Sequence, residues 1–120
     1  MGNVCYITHK GKQILHIDFK DTELDEIKAI CEKAKSMICK HPACSLLTIT
    51  DVSDTKLNPE VSKYLKDLAA HNKPFVKAGG VLGVSGIKKV SFNAVLLFSG
   101  RKNLHLFDNM EETKDWLVQQ

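Results

Sequence analysis

The chain predicts one two-layer α/β domain, a five-stranded mixed sheet with its helices mainly on one face. Three observations carry that expectation. After an opening hairpin, segments of strand period alternate with segments of helical period, which implies parallel neighbours joined by crossovers. Crossovers are right-handed almost without exception, so strands added successively on one side place every crossover helix on one face. The strands are also two-sided: Leu15, Ile17 and Phe19 share one side of theirs, and Ile14, His16 and Asp18 the other. A doubly wound sheet would be apolar on both faces of its central strands. The face opposite the crossover helices is therefore expected to lack helical cover.

Asn3 to His9 and Gln13 to Phe19 alternate like strands, with Lys10-Gly11-Lys12 short enough to close a hairpin. Thr22 is placed to cap a helix running to about Lys40. Leu24, Ile27, Cys31, Ala34 and Ile38 recur on one side of it, and acids lead while lysines follow, as the helix dipole prefers. Cys44 to Thr50 reads as a buried strand, Leu47 and Ile49 opposing Leu46, Thr48 and Thr50. After a polar loop from Val52 to Leu57, Asn58 stands at an N-cap with Pro59 at the first helical position. That helix turns Val61, Leu65, Leu68 and Ala69 inward and stops at His71-Asn72.

Ala78 to Ser85 is the next strand, and Ile87 to Ser99 the next helix. Ile87, Val90, Ala94, Leu97 and Phe98 make one apolar stripe on that helix, and Phe92, Val95, Leu96 and Ser99 a second beside it. Two stripes call for a cover, so Phe92, Val95 and Leu96 are expected to contact a partner or a second copy in a homodimer. Asn103 to Phe107 forms the last strand. Asp108 or Asn109 caps a final helix from Glu111 to about Val118, anchored by Trp116 and Leu117. Internal repeats, linkers and low-complexity tracts are not evident.

Residues 1–120 make a single domain, and composition narrows what it does. The net charge of +3 comes from 17 basic and 14 acidic residues spread along the chain, with Arg101 the one Arg, which argues against nucleic acid. No apolar run is long enough to cross a bilayer, and the first residues do not read as a signal peptide, so a cytoplasmic location is expected. Tyr6 occupies the position where acylation of Gly2 would require Ser or Thr. Cys39, His41 and Cys44 offer three zinc-type ligands but lack a fourth and a C-x2-C knuckle. Cys31 and Cys44 read better as small buried hydrophobes, and neither metal nor cofactor is expected.

Chemistry in an open α/β sheet gathers beyond the carboxyl ends of parallel strands. Those ends carry Asp18 to Asp21, Asp51 to Asp54, Ser85-Gly86 and Asp108. A phosphoryl-transfer site would use Asp18 and Asp21 for Mg²⁺, Asp51 as acceptor and Ser85 against the phosphoryl group. Asp108, however, stands where receiver domains place a Lys, and caps or turns account for these acids. Gly83-Val84-Ser85-Gly86 approaches a nucleophile elbow, but Ile87 replaces its last glycine, and His9, His16, His41, His71 and His105 sit in no partner motif. A third reading makes an anion seat from Ser85, Gly86, Lys88 and Lys89.

Three segments, LLTITDVSD (Leu46 to Asp54), NKPFVKAGGVLGVSGIKKVSFNAVLLFSGR (Asn72 to Arg101) and LFDNMEETKDWL (Leu106 to Leu117), carry a family likeness. Through them the chain resembles the small STAS-like proteins, kin in fold to bacterial anti-sigma-factor antagonists and to the STAS domains of anion transporters. The resemblance implies a β/α superhelix with a mixed sheet on one side and helices on the other. Anti-sigma-factor antagonists carry a phosphorylatable Ser in a D-S-S-G or D-T-S-G loop after the third strand. Asp51-Val52-Ser53-Asp54 stands there in this chain, with Asp54 in the glycine position, where it would repel a phosphate on Ser53. The expectation is a non-enzymatic binding or regulatory module acting by protein contact, with Asp51 and Ser53 among its binding residues. The alternative is a small carrier of an apolar anionic ligand such as a fatty acid or phospholipid, and an enzyme using Asp51 or Ser85 ranks last.

Overall fold

A computed structural model describes residues 2–84 and 103–120 of the chain. Strands β1 (Asn3–His9) and β2 (Lys12–Asp18) form the expected antiparallel hairpin. Lys10 and Gly11 alone make its turn, at φ 49° and 80°, because two positive-φ residues match the twist of the flanking strands. Lys12 pairs with His9 and so belongs to β2 rather than to the loop.

Helix α1 (Leu24–Ile38) buries Ile27, Ile30, Cys31, Ala34 and Ile38. Thr22 does not cap it. Glu23 stands at the N-cap without a side-chain bond, while the buried Thr22 hydroxyl donates to the Phe19 carbonyl at 2.6 Å. Helix α2 (Pro59–Asn72) starts as its sequence requires, with Asn58 Oδ1 accepting the Val61 amide at 2.9 Å and Pro59 where no amide donor is needed. The two helices meet through an ion pair between Lys35 and Asp67, and Lys28 Nζ lies 5.5 Å from the centre of the Tyr64 ring.

Strands β3 (Leu46–Asp51), β4 (Val76–Leu82) and β5 (Leu104–Phe107) complete a sheet of order β1-β2-β3-β4-β5, parallel after the first pair. The apolar run misplaces the start of β3. Cys44 adopts φ 52°, which no strand residue does, and is exposed, as are Cys5 and Cys39; Cys31 alone behaves as a small buried hydrophobe. Strand β4 begins at Val76, two residues before the expected start, and a register shift between Leu46 and Leu47 sends Val76 and Ala78 to opposite faces. The helix expected over Ile87 to Ser99 lies outside the described residues.

Successive addition of strands puts α1 and α2 on one face, over Leu15, Ile17, Leu46, Val76 and Val81. The opposite face is not bare, contrary to the expectation from handedness. Helix α3 (Met110–Val118) lies there, its fully buried Leu117 packed among Ile14, Leu47, Ile49, Ala78 and Leu82. The handedness rule binds only a helix that connects two parallel strands. α3 follows the last strand and so can fold back on the free side. Asn109 caps it by accepting the Glu112 amide at 2.8 Å. Trp116 packs in tilted contact with the rings of His105 and Phe107, and Asp115 reaches the hairpin turn, 2.8 Å from His9 and 3.2 Å from Lys10.

Candidate functional site

The ends of β2 and β3 carry one short pattern twice: Asp18-Phe19-Lys20-Asp21-Thr22 and Asp51-Val52-Ser53-Asp54-Thr55. The two copies fold alike. In each, the first Asp accepts the amide two residues on, Lys20 at 2.8 Å and Ser53 at 2.9 Å. The apolar second residue, Phe19 or Val52, is fully buried. The fourth is an Asp in the left-handed region, φ 53° at Asp21 and 55° at Asp54, which a short polar side chain tolerates. The closing Thr is buried.

The turns are also bonded to each other. The Asp21 amide donates to the Ser53 carbonyl at 3.2 Å, and the Thr55 hydroxyl donates to the Phe19 carbonyl at 2.5 Å. Gly83, at φ 86°, completes the rim. A Cβ there would lie 2.3 Å from the Ser53 nitrogen, so only glycine fits between β4 and this turn.

This scaffold sets three ligand-type side chains together. Asp18 and Asp51 stand opposite each other in the β2–β3 register, and His16, two residues before Asp18, shares their face. One imidazole nitrogen of His16 and one oxygen from each carboxylate lie within 4.8 Å of one another, all three residues half-buried. His16 Nε2 is itself buried and has no hydrogen-bond partner among the described residues. A groove of about 150 Å³ opens on the helix side of the same rim, lined by Asp21, Glu23, Asp54, Lys56 and Asn58.

No protein-family model matches the chain, and no curated protein does. Among solved structures, an uncharacterised protein of the DUF3478 family with a SpoIIAA-like fold, from Shewanella loihica, aligns with a TM-score of 0.74. The alignment covers 98% of this chain and 95% of that one at 10% identity. The chain has a SpoIIAA-like, or STAS-like, fold. At that identity the likeness establishes architecture and carries no activity with it.

Of the residues expected to bind in this STAS-like domain, Asp51 and Ser53 fall on the rim, next to Asp18. Asp21, which a phosphoryl-transfer site would set beside Asp18 at a cation, lines the groove with Asp54. Ser85, Gly86, Lys88 and Lys89, and the contact residues Phe92, Val95 and Leu96, lie outside the described residues. Reading by period passes over both His16 and the repeated turn. The signals for them were present as H-x-D at strand spacing and as D-x-x-D-T in duplicate.

The other histidines have structural partners: His9 with Asp115, His41 with the Tyr6 hydroxyl at 2.7 Å, His71 with Asn72 Oδ1 at 3.0 Å, and His105 against Trp116. Among the described residues, Cys39, His41 and Cys44 do not gather into a metal-type group. No described helix is long and apolar enough to cross a membrane.

Proposed function

We propose that this domain is a non-enzymatic, STAS-type binding and regulatory module that engages a protein partner at the rim formed by the two D-x-x-D-T turns. The observation that carries the reading is the cross-bonded pair of turns, which holds an exposed, predominantly acidic groove in a fixed shape. Among the described residues, Asp21, Glu23 and Asp54 line it together with one lysine, Lys56. A pre-shaped acidic groove suits a basic segment of a partner, since little ordering is needed on binding and opposite charge speeds encounter. The fold neighbour supports the architecture of such a module and is silent on its partner.

Native mass spectrometry of the tagged chain recovered from cells tests this reading. A stoichiometric protein complex that dissociates in the Asp21→Asn, Asp54→Asn variant supports it; Asn keeps the left-handed turns while removing the charge. A chain that carries a co-purified lipid would make it a carrier instead. A bare homodimer unaffected by the two substitutions would move the contact away from this rim.

A further inference from the structure

We propose that His16, Asp18 and Asp51 form a binding site for one divalent first-row metal ion, of the Zn²⁺ or Mn²⁺ class. The inference goes beyond the protein-contact reading and does not depend on it. Its first support is geometric. The atoms offered by an imidazole and two carboxylates lie within 4.8 Å of one another, so small side-chain rotations suffice to bring all three onto one ion. They come from alternate positions of β2 and from the position of β3 paired with Asp18, and a site on strands holds its ligands better than one on loops.

The second support is the state of His16. Its Nε2 is buried without a hydrogen-bond partner among the described residues, and such a nitrogen costs stability unless something occupies it. A metal ion is a natural occupant of an imidazole nitrogen in this setting. The third is the orientation of the carboxylates. Asp18 Oδ1 is held by the Lys20 amide and Asp51 Oδ1 by the Ser53 amide, which fixes both groups and leaves Oδ2 for a cation.

Charge points the same way. Like charges directly opposite on neighbouring strands are destabilising, and a divalent cation between Asp18 and Asp51 turns that repulsion into attraction. The imidazole decides the class of ion. Ca²⁺ and Mg²⁺ prefer all-oxygen surroundings, whereas one nitrogen and two carboxylate oxygens suit Zn²⁺ or Mn²⁺. Three protein ligands leave at least one position to water. Because the Asp51 carboxylate also holds the Ser53 amide, an ion here would stiffen the turn next to the groove.

The test is calorimetric titration of the full chain with Zn²⁺ and with Mn²⁺, each alone, in a Cys5→Ser, Cys39→Ser, Cys44→Ser background that removes the three exposed thiols. One equivalent of either ion is expected, together with a melting temperature several degrees higher in its presence. Asp18→Asn, Asp51→Asn and His16→Gln should each weaken binding by at least about tenfold, the scale on which even outer-shell changes act. The ion-free Asn variants should melt no lower than the parent, because each removes one of two facing charges. No saturable binding up to millimolar ion would overturn the proposal, and so would binding that survives both Asn substitutions. Equal affinity for Mg²⁺ would overturn the assigned class of ion. If one variant fails to fold, the remaining two still decide.

Discussion

Thr113 of α3 sits directly over the bare Cα of Gly80 in β4: a Cβ on Gly80 would lie 2.2 Å from Thr113 Cγ2. That close approach is what lets α3 settle on the second face of the sheet. Gly80→Ala should therefore cost about 1–3 kcal/mol by overpacking, measured by urea unfolding. Thr113→Ser removes the obstructing methyl and keeps the hydroxyl that donates to the Asn109 carbonyl at 2.7 Å. Adding it to Gly80→Ala should recover most of the loss. A double variant no better than the single one would mean that α3 does not dock as described.

Gly83 presents a different constraint. Its φ of 86° and the 2.3 Å separation of a built Cβ from the Ser53 nitrogen both oppose any side chain. The obstruction is backbone, so no truncation at Ser53 relieves it. Gly83→Ala should cost at least about 1–3 kcal/mol, and Ser53→Gly should not rescue it. Parallel unfolding curves for the two alanine variants, each with its rescue substitution, separate the mechanisms.

Asp115 links α3 to the hairpin turn, and its carboxyl is held below the ordinary range first by the bond to His9 and then by that to Lys10. A depressed folded-state pKa contributes stability that is complete above the unfolded value, about 4, and is lost as pH falls through the folded value. Asp115→Asn should lower the melting temperature by no more than a few degrees near neutral pH, because the carboxylate is exposed. The gap between variant and parent should close in acid, as pH falls below the unfolded value and through the depressed folded one. Thermal melts across an acid series check this, and a gap that widened there would contradict it.

Burial pushes the Cys31 thiol up to about 12, outweighing the opposing effect of Lys35. At pH ~8 its thiolate fraction is on the order of one part in 10⁴, against roughly a quarter for an unperturbed thiol. A disulfide-exchange reagent should label Cys5, Cys39 and Cys44 in the folded protein and Cys31 only after unfolding. Mass spectrometry of the labelled chain counts the adducts. A fourth fast adduct would show that α1 opens readily.

Much of the fold was legible because it rests on local physics. The 3.6-residue spacing of Val61, Leu65, Leu68 and Ala69 specifies the buried side of α2, and Asn58-Pro59 its start, with no help from distant residues. Element ends were less legible wherever a tertiary contact overrides propensity. Thr22 has the chemistry of an N-cap, but the buried Phe19 carbonyl claims its hydroxyl. Cys44 has the apolar neighbours of a strand residue, yet its amide donates to the Pro74 carbonyl from a left-handed backbone.

Taken by itself, the sequence determined the layering by strands and crossover helices, the hairpin, and the gathering of acids along one rim. Periodicity, caps and handedness are local or general constraints, and each can be read one residue at a time. Only the tertiary structure decided that α3 covers the second face, since nothing local tells a terminal helix which side of a sheet to choose. It alone set Asp18 directly opposite Asp51, 33 positions on in the chain, with His16 beside the pair, because the register between two strands is settled by their packing and not by the pattern of either one.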